Sequence, residues 1–186
     1  MKKIYILITA ILLLFFSFTW AQGEFEDEIK AEVGITGAAV KAGLLYLTSE
    51  YGLAPGFGLW FDWAKLGQNI IVDGGLEYWV AQRGAKAWEK ERKRDFAIFF
   101  TLKYAVEMGK FTPFLGGGFG INMYKKTYPE NIDKVPEKST KPELHIDAGT
   151  TYFLNPKMDL EARFKVNISD VSSFGLYVSM YLKTGK

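Results

Sequence analysis

Over residues 157–168 the chain alternates without a break. Met158, Leu160, Ala162, Phe164, Val166 and Ile168 are apolar, and Asp159, Glu161, Arg163, Lys165 and Asn167 stand between them. A period of two is that of a strand, which sends successive side chains to opposite faces. A helix would scatter the same charges all round. The pattern recurs and predicts strands over 28–40, 56–64, 69–82, 95–108, 110–124, 143–153 and 172–182, eight in all. Pro55 is awkward inside a ladder, so the second strand is expected to begin after it.

The segments between these strands alternate in length. Residues 41–52, 83–94, 125–142 and 169–171 read as loops, whereas 65–68, Gly109 and 154–156 read as tight turns. Short turns at one end and longer loops at the other predict an all-β, eight-stranded antiparallel up-and-down barrel with both termini on the turn side. Each strand is long enough for a tilted membrane span of about 9 to 11 residues.

Charge then bears on which face meets water. The apolar phase of the eight strands holds no Asp, Glu, Lys or Arg, while the opposite phase holds ten acids and five bases. Lipid would enforce such exclusion, because an Arg or Lys at mid-depth costs about 2 to 4 kcal/mol. A soluble lipocalin-like carrier of an apolar ligand would also keep charge off its inner face. Two features favour the transmembrane orientation. The charged phase also carries Gly34, Gly58, Gly75, Gly116, Gly118, Gly120, Gly149 and Gly175, as suits side chains converging inside a narrow cylinder. The apolar phase places Trp63, Tyr104, Phe111 and Tyr152 near the turn side and Tyr78, Phe96, Phe119 and Phe174 near the loop side, forming two interfacial girdles.

Residues 1–21 stand apart. Lys2 and Lys3 precede an apolar run from Ile4 to Phe18 and then Thr19-Trp20-Ala21, the pattern of a signal peptide cleaved after Ala21. Residues 22–186 are then the barrel domain. Removing two lysines leaves 21 basic and 21 acidic residues, so the mature chain is near neutral and carries no global field for nucleic acid. With no cysteine, an exported domain must be stabilised without disulfides, and closing a sheet on itself would do so.

The run F-T-P-F-L-G-G-G-F-G-I-N over residues 111–122 resembles the Pro-aromatic, Gly-x-Gly strand of the outer-membrane β-barrel domain family, whose small members are of the OmpA and OmpX type. The resemblance in strand plan covers 28–186. It implies residence in the bacterial outer membrane, contact with membrane lipid and lipopolysaccharide, insertion by the barrel-assembly machinery, and a monomer. Such barrels usually finish on an aromatic residue, whereas this chain runs past Tyr181 and Leu182 to Lys183-Thr184-Gly185-Lys186.

An eight-stranded barrel is just wide enough to be filled by side chains. Lys30, Glu32, Asp62, Asp73, Glu77, Lys103, Asp147, Glu161, Arg163 and Lys165 are therefore expected to form a lumen charge network. Lys110 should also find a carboxylate, and the surplus of acids implies either that Glu28, Asp95 and Glu143 stay wet near strand ends or that a cation or raised pKa values absorb the excess. A small cation-leaky channel is the alternative use of these charges. His145 shares a face with Glu143 and Asp147, but a fourth metal ligand is not evident. No metal, cofactor or catalytic residue is assigned. A lipid A-modifying barrel enzyme is the enzymatic rival, and its base would be this lone histidine, with Ser172, Ser173 or Ser179 as nucleophile. Arg83, Lys86, Lys90, Arg92, Lys93 and Arg94 form a basic patch at the second loop, and Lys125, Lys126, Lys134, Lys138 and Lys141 crowd the third. Exposed at the outer rim, such groups suit lipopolysaccharide phosphates. The expected role is structural or surface-interactive, with at most weak porin-like passage.

Overall fold

Eight antiparallel strands, each hydrogen-bonded to the next in sequence, close into a barrel through the pairing of the first with the last. They are β1 (Ala31–Leu47), β2 (Gly52–Leu66), β3 (Ile70–Arg83), β4 (Glu91–Ala105), β5 (Phe111–Thr127), β6 (Glu137–Asn155), β7 (Met158–Ile168) and β8 (Ser173–Lys183). The computed structural model describes residues 31–48, 51–84, 91–129, 132–169 and 172–183. The segment read as a signal peptide lies outside them, as do Glu28, Lys30, Lys86 and Lys90.

The turn-side connections are tight for local reasons. Gly67 and Gly109 take φ of 64° and 66°, the left-handed region that favours glycine. At the third turn the Asn155 side chain accepts the Lys157 backbone N–H at 2.9 Å. Four elements are longer than the alternation predicts. β1 continues through Leu44 to Leu47, so the first loop shrinks to a short connection, and β2 includes Pro55 opposite Leu44. β5 and β6 pair as far out as Lys126 and Glu137, turning half of the predicted third loop into strand beyond the loop-side girdle. Beyond the Leu144–Ile168 pair β7 stops, and among the described residues no strand pairs with residues 137–143 on the side away from β5.

The apolar phase faces outward. Phe100, Leu160 and Val178 are 44%, 40% and 52% exposed, whereas Glu77 and Arg163 on the opposite phase are 2% and 1% exposed. A wall of exposed Phe, Leu, Ile and Val running round a closed barrel is the surface that hydrocarbon requires. It is also the inverse of a carrier with a greasy interior.

The lumen is packed in layers. At the loop end Leu45, Leu47, Ala54, Trp79, Ala81, Tyr124 and Tyr177 form an apolar cap, with Tyr51 against it. Below it Trp60, Phe99 and Tyr181 pack with Ala39 among the charged side chains.

Candidate functional site

Arg163 on β7 occupies the middle of the lumen. Its Nε donates to Glu161 at 2.8 Å, one terminal nitrogen to Asp147 at 2.9 Å and the other to Asp73 at 2.8 Å. The guanidinium lies 3.2 Å from the Trp60 ring centroid. Its planar fork is matched by three carboxylates and its face by an indole, so its donors and its flat surface are both used. Lys103 joins the same acids, 2.8 Å from Asp73, 3.5 Å from Asp62 and 3.7 Å from Glu161.

A second cluster lies toward the loop end. Glu77 accepts from Lys41 at 2.7 Å, from Lys165 at 3.3 Å and from the Tyr177 hydroxyl. Lys165 also reaches Glu143 at 3.1 Å. The Lys41 ammonium sits 4.1 Å from the Trp60 centroid and 4.3 Å from that of Tyr177. Buried charge is tolerable when paired and hydrogen-bonded, and here each cation is held between carboxylates and aromatic faces.

Eight of the ten sequence-selected lumen residues thus meet inside: Asp62, Asp73, Glu77, Lys103, Asp147, Glu161, Arg163 and Lys165. Glu32 does not, being exposed on the part of β1 that precedes a register shift between Val33 and Gly37. Lys110 is likewise exposed, in the turn before β5. The lumen instead recruits Lys41, which the sequence placed in a loop. Asp95 and Glu143 are each 2% exposed rather than wet, because β4 to β6 continue well beyond them.

His145 forms a chain with its neighbours. Its Nε2 is 2.9 Å from the Thr101 hydroxyl and its Nδ1 3.3 Å from Glu143. The order hydroxyl, imidazole, carboxylate is that of a hydrolase triad, but all three side chains are buried and the Phe99 ring stands edge-on over the imidazole. Ser173 instead bonds Asn167 and Ser172 bonds the Ser169 carbonyl. The metal arrangement fails on geometry, since Glu143 approaches one ring nitrogen and Asp147 the other, at 3.9 Å. No group of three metal-ligating side chains converges among the described residues.

The basic patch is reshaped by strand pairing. Arg94, Lys125 and Lys138 are direct cross-strand neighbours on β4, β5 and β6, all in the outward phase. The next row down is Tyr78, Phe96 and Met123, so the three cations sit just above the loop-side girdle. No carboxylate pairs with them among the described residues. Arg92 shares their face opposite Thr127. Arg83 lies at the rim opposite Glu91, and Lys93 turns inward, 5.0 Å from the Tyr124 ring centroid, so it leaves the outer wall.

The fold is that of small outer-membrane barrels. Neisserial surface protein A matches with a TM-score of 0.60 at 18% identity, over 83% of this chain and 99% of that one. The N-terminal β-barrel domain of Pseudomonas aeruginosa OprF matches at 0.56 and 9% identity, over 80% and 98% of the two chains. Ail, the attachment invasion locus protein of Yersinia pestis, in complex with the heparin analogue sucrose octasulfate, matches at 0.54 and 15%, over 79% and 97%. No protein-family model matches the chain, and no curated protein does.

Proposed function

We propose that this chain, built on the small outer-membrane barrel plan, is an exported integral outer-membrane protein that closes its own lumen and works through its surface. Residues 1–21 are removed on export, and the monomer reaches the membrane through the barrel-assembly machinery. Its role is structural and interactive at the cell surface. The observation that carries the reading is Arg163, locked between Asp73, Asp147 and Glu161 across the full width of the lumen. A buried side chain that ties β7 to β3 and β6 across the lumen obstructs the passage of a solute.

Planar-bilayer recording on the refolded protein tests this. A silent membrane is the expected result, and regular unitary conductance steps would overturn the closed-lumen reading.

Contact with the outer leaflet follows from the Arg94, Lys125 and Lys138 row. Like charges placed directly opposite on neighbouring strands repel. Phosphate groups of lipopolysaccharide, at the depth just above the aromatic girdle, would relieve that repulsion through charge-assisted hydrogen bonds. The sulfated sugar bound to Ail supports an anionic saccharide as the kind of partner.

A further inference from the structure

The wall formed by β5 and β6 carries a groove just above the loop-side girdle. It is a hollow of about 370 Å³ lined by Met123, Tyr124, Lys125, Lys138, Ser139 and Thr140. Two ammonium groups therefore border it, and no carboxylate does. Lys125 is the direct cross-strand neighbour of Lys138 on one side and of Arg94 on the other. The next residue along differs: Lys126 is 3.0 Å from Glu91. Among the described residues no carboxylate pairs with Arg94, Lys125 or Lys138, and the Nε of Arg94 has no hydrogen-bond partner. The row beneath sets the depth. Met123, at the foot of the groove, stands in line with Phe96 and Tyr78 of the girdle on one side and with Thr140 on the other. The hollow thus opens at the level where a lipid headgroup meets its chains.

We propose that this groove selects membrane lipids whose phosphate is a terminal monoester over those whose phosphate is a diester, holding the headgroup between Lys125 and Lys138 with Arg94 beside them. This selectivity rests on the leaflet contact proposed above and narrows it. A monoester carries a charge of about −1.5 to −2 near pH 7 and presents three terminal oxygens. A diester carries a single charge and presents two. Three cationic donors with no carboxylate among them match the first: two oxygens accept from the ammonium groups that flank the groove, and the third accepts from the guanidinium. Met123, exposed at the foot of the groove, then lies against the first carbons of the acyl chains, which a water-soluble phosphate lacks.

The test is titration of the refolded, ¹⁵N-labelled protein in detergent micelles with dioctanoyl phosphatidate and with dioctanoyl phosphatidylmethanol. The two lipids differ by one methyl group, which turns the monoester into a diester. Saturable amide shifts at Met123, Lys125, Lys138 and Thr140 are expected, with phosphatidate binding about tenfold more tightly, the scale of one further charge beside basic side chains. Lys125→Gln combined with Lys138→Gln should remove that preference. Lys126→Gln, whose ammonium is held by Glu91, should keep it. Inorganic phosphate and glucose 6-phosphate should give no saturable shifts at these positions. Equal affinity for the two lipids would overturn the selectivity and leave the leaflet contact standing, whereas saturable binding of neither would overturn both. Glucose 6-phosphate binding as tightly as phosphatidate would overturn the lipid as ligand, and a preference that survives the double change would overturn the groove as its site. The comparison of the two lipids on the unsubstituted protein decides the selectivity whether or not the double variant folds.

Discussion

Lys41 reaches across Gly58 to bond Glu77 at 2.7 Å, joining β1 to β3 over the strand between them. A Cβ at Gly58 would stand 2.5 Å from Lys41 Cε and closer still to the Leu76 carbonyl, so the pair exists because that position is empty. Glu77→Gln should destabilise the barrel by about 3 to 5 kcal/mol, because it strands Lys41, which has no other carboxylate partner among the described residues, whereas Lys41→Met should cost less, since Lys165 and Tyr177 still bond Glu77. The double variant Lys41→Met with Glu77→Gln should cost less than the sum of the two single changes. Urea unfolding in lipid vesicles, run as a double-mutant cycle, measures the coupling.

At Arg163 a conservative change should fail. Lysine offers a point charge in place of a planar fork, so Arg163→Lys cannot serve Asp73, Asp147 and Glu161 together. A loss of about 3 kcal/mol or more is expected in the same unfolding assay, with the first conductance events appearing in bilayers.

On the outer wall the sign reverses. Phe100→Arg and Leu160→Arg place a cation in hydrocarbon and should each cost about 2 to 4 kcal/mol. Reduced yield of the heat-modifiable, folded band reports it. Equal tolerance of arginine there and at an exposed loop-side position such as Ser139 would contradict the outward orientation.

Neutralising the basic row should act on lipid and not on folding. The triple change Arg94→Gln, Lys125→Gln and Lys138→Gln should leave unfolding unchanged or slightly improved, since it removes cross-strand repulsion. Co-purified lipopolysaccharide should fall about tenfold, and the salt sensitivity of its retention should flatten.

Acid should loosen the loop side through Glu91. Burial opposes its charge, but the Tyr51 hydroxyl and the Lys126 ammonium, at 3.0 Å, outweigh it and hold the carboxyl below its usual range. A lowered folded value means that the stabilisation is complete above the ordinary glutamate range and is lost as pH falls through the folded value. Protease sensitivity of the loop side should therefore rise in acid, and Glu91→Gln should abolish that dependence.

The eight strands, their order and their outward face were legible because lipid imposes a strict alternation on most of the chain. The stretch from Lys41 to Leu47 escaped because two small residues followed by four apolar ones hide the period. The register shift after Val33 also changes which residues face inward. Lys41 looked like loop chemistry for that reason, and Glu32 like lumen chemistry. The outer hairpin escaped for another reason. Above the membrane both faces of residues 125–127 and 137–142 meet water, so no apolar phase marks them as strand. Which carboxylate meets which base depends on barrel stagger, and the sequence carries no direct sign of it. The row Arg94, Lys125 and Lys138 is a product of register alone.

The margin of β6 that faces away from β5 bears on life in a crowded membrane. Pro142 has no N–H to offer along that margin, and Lys138 and Lys141 lie on either side of residues 139 and 140. Barrels that collide in the plane of the membrane would meet like charge and a gap in the row of donors. Edge-to-edge pairing of two copies through this margin is therefore disfavoured.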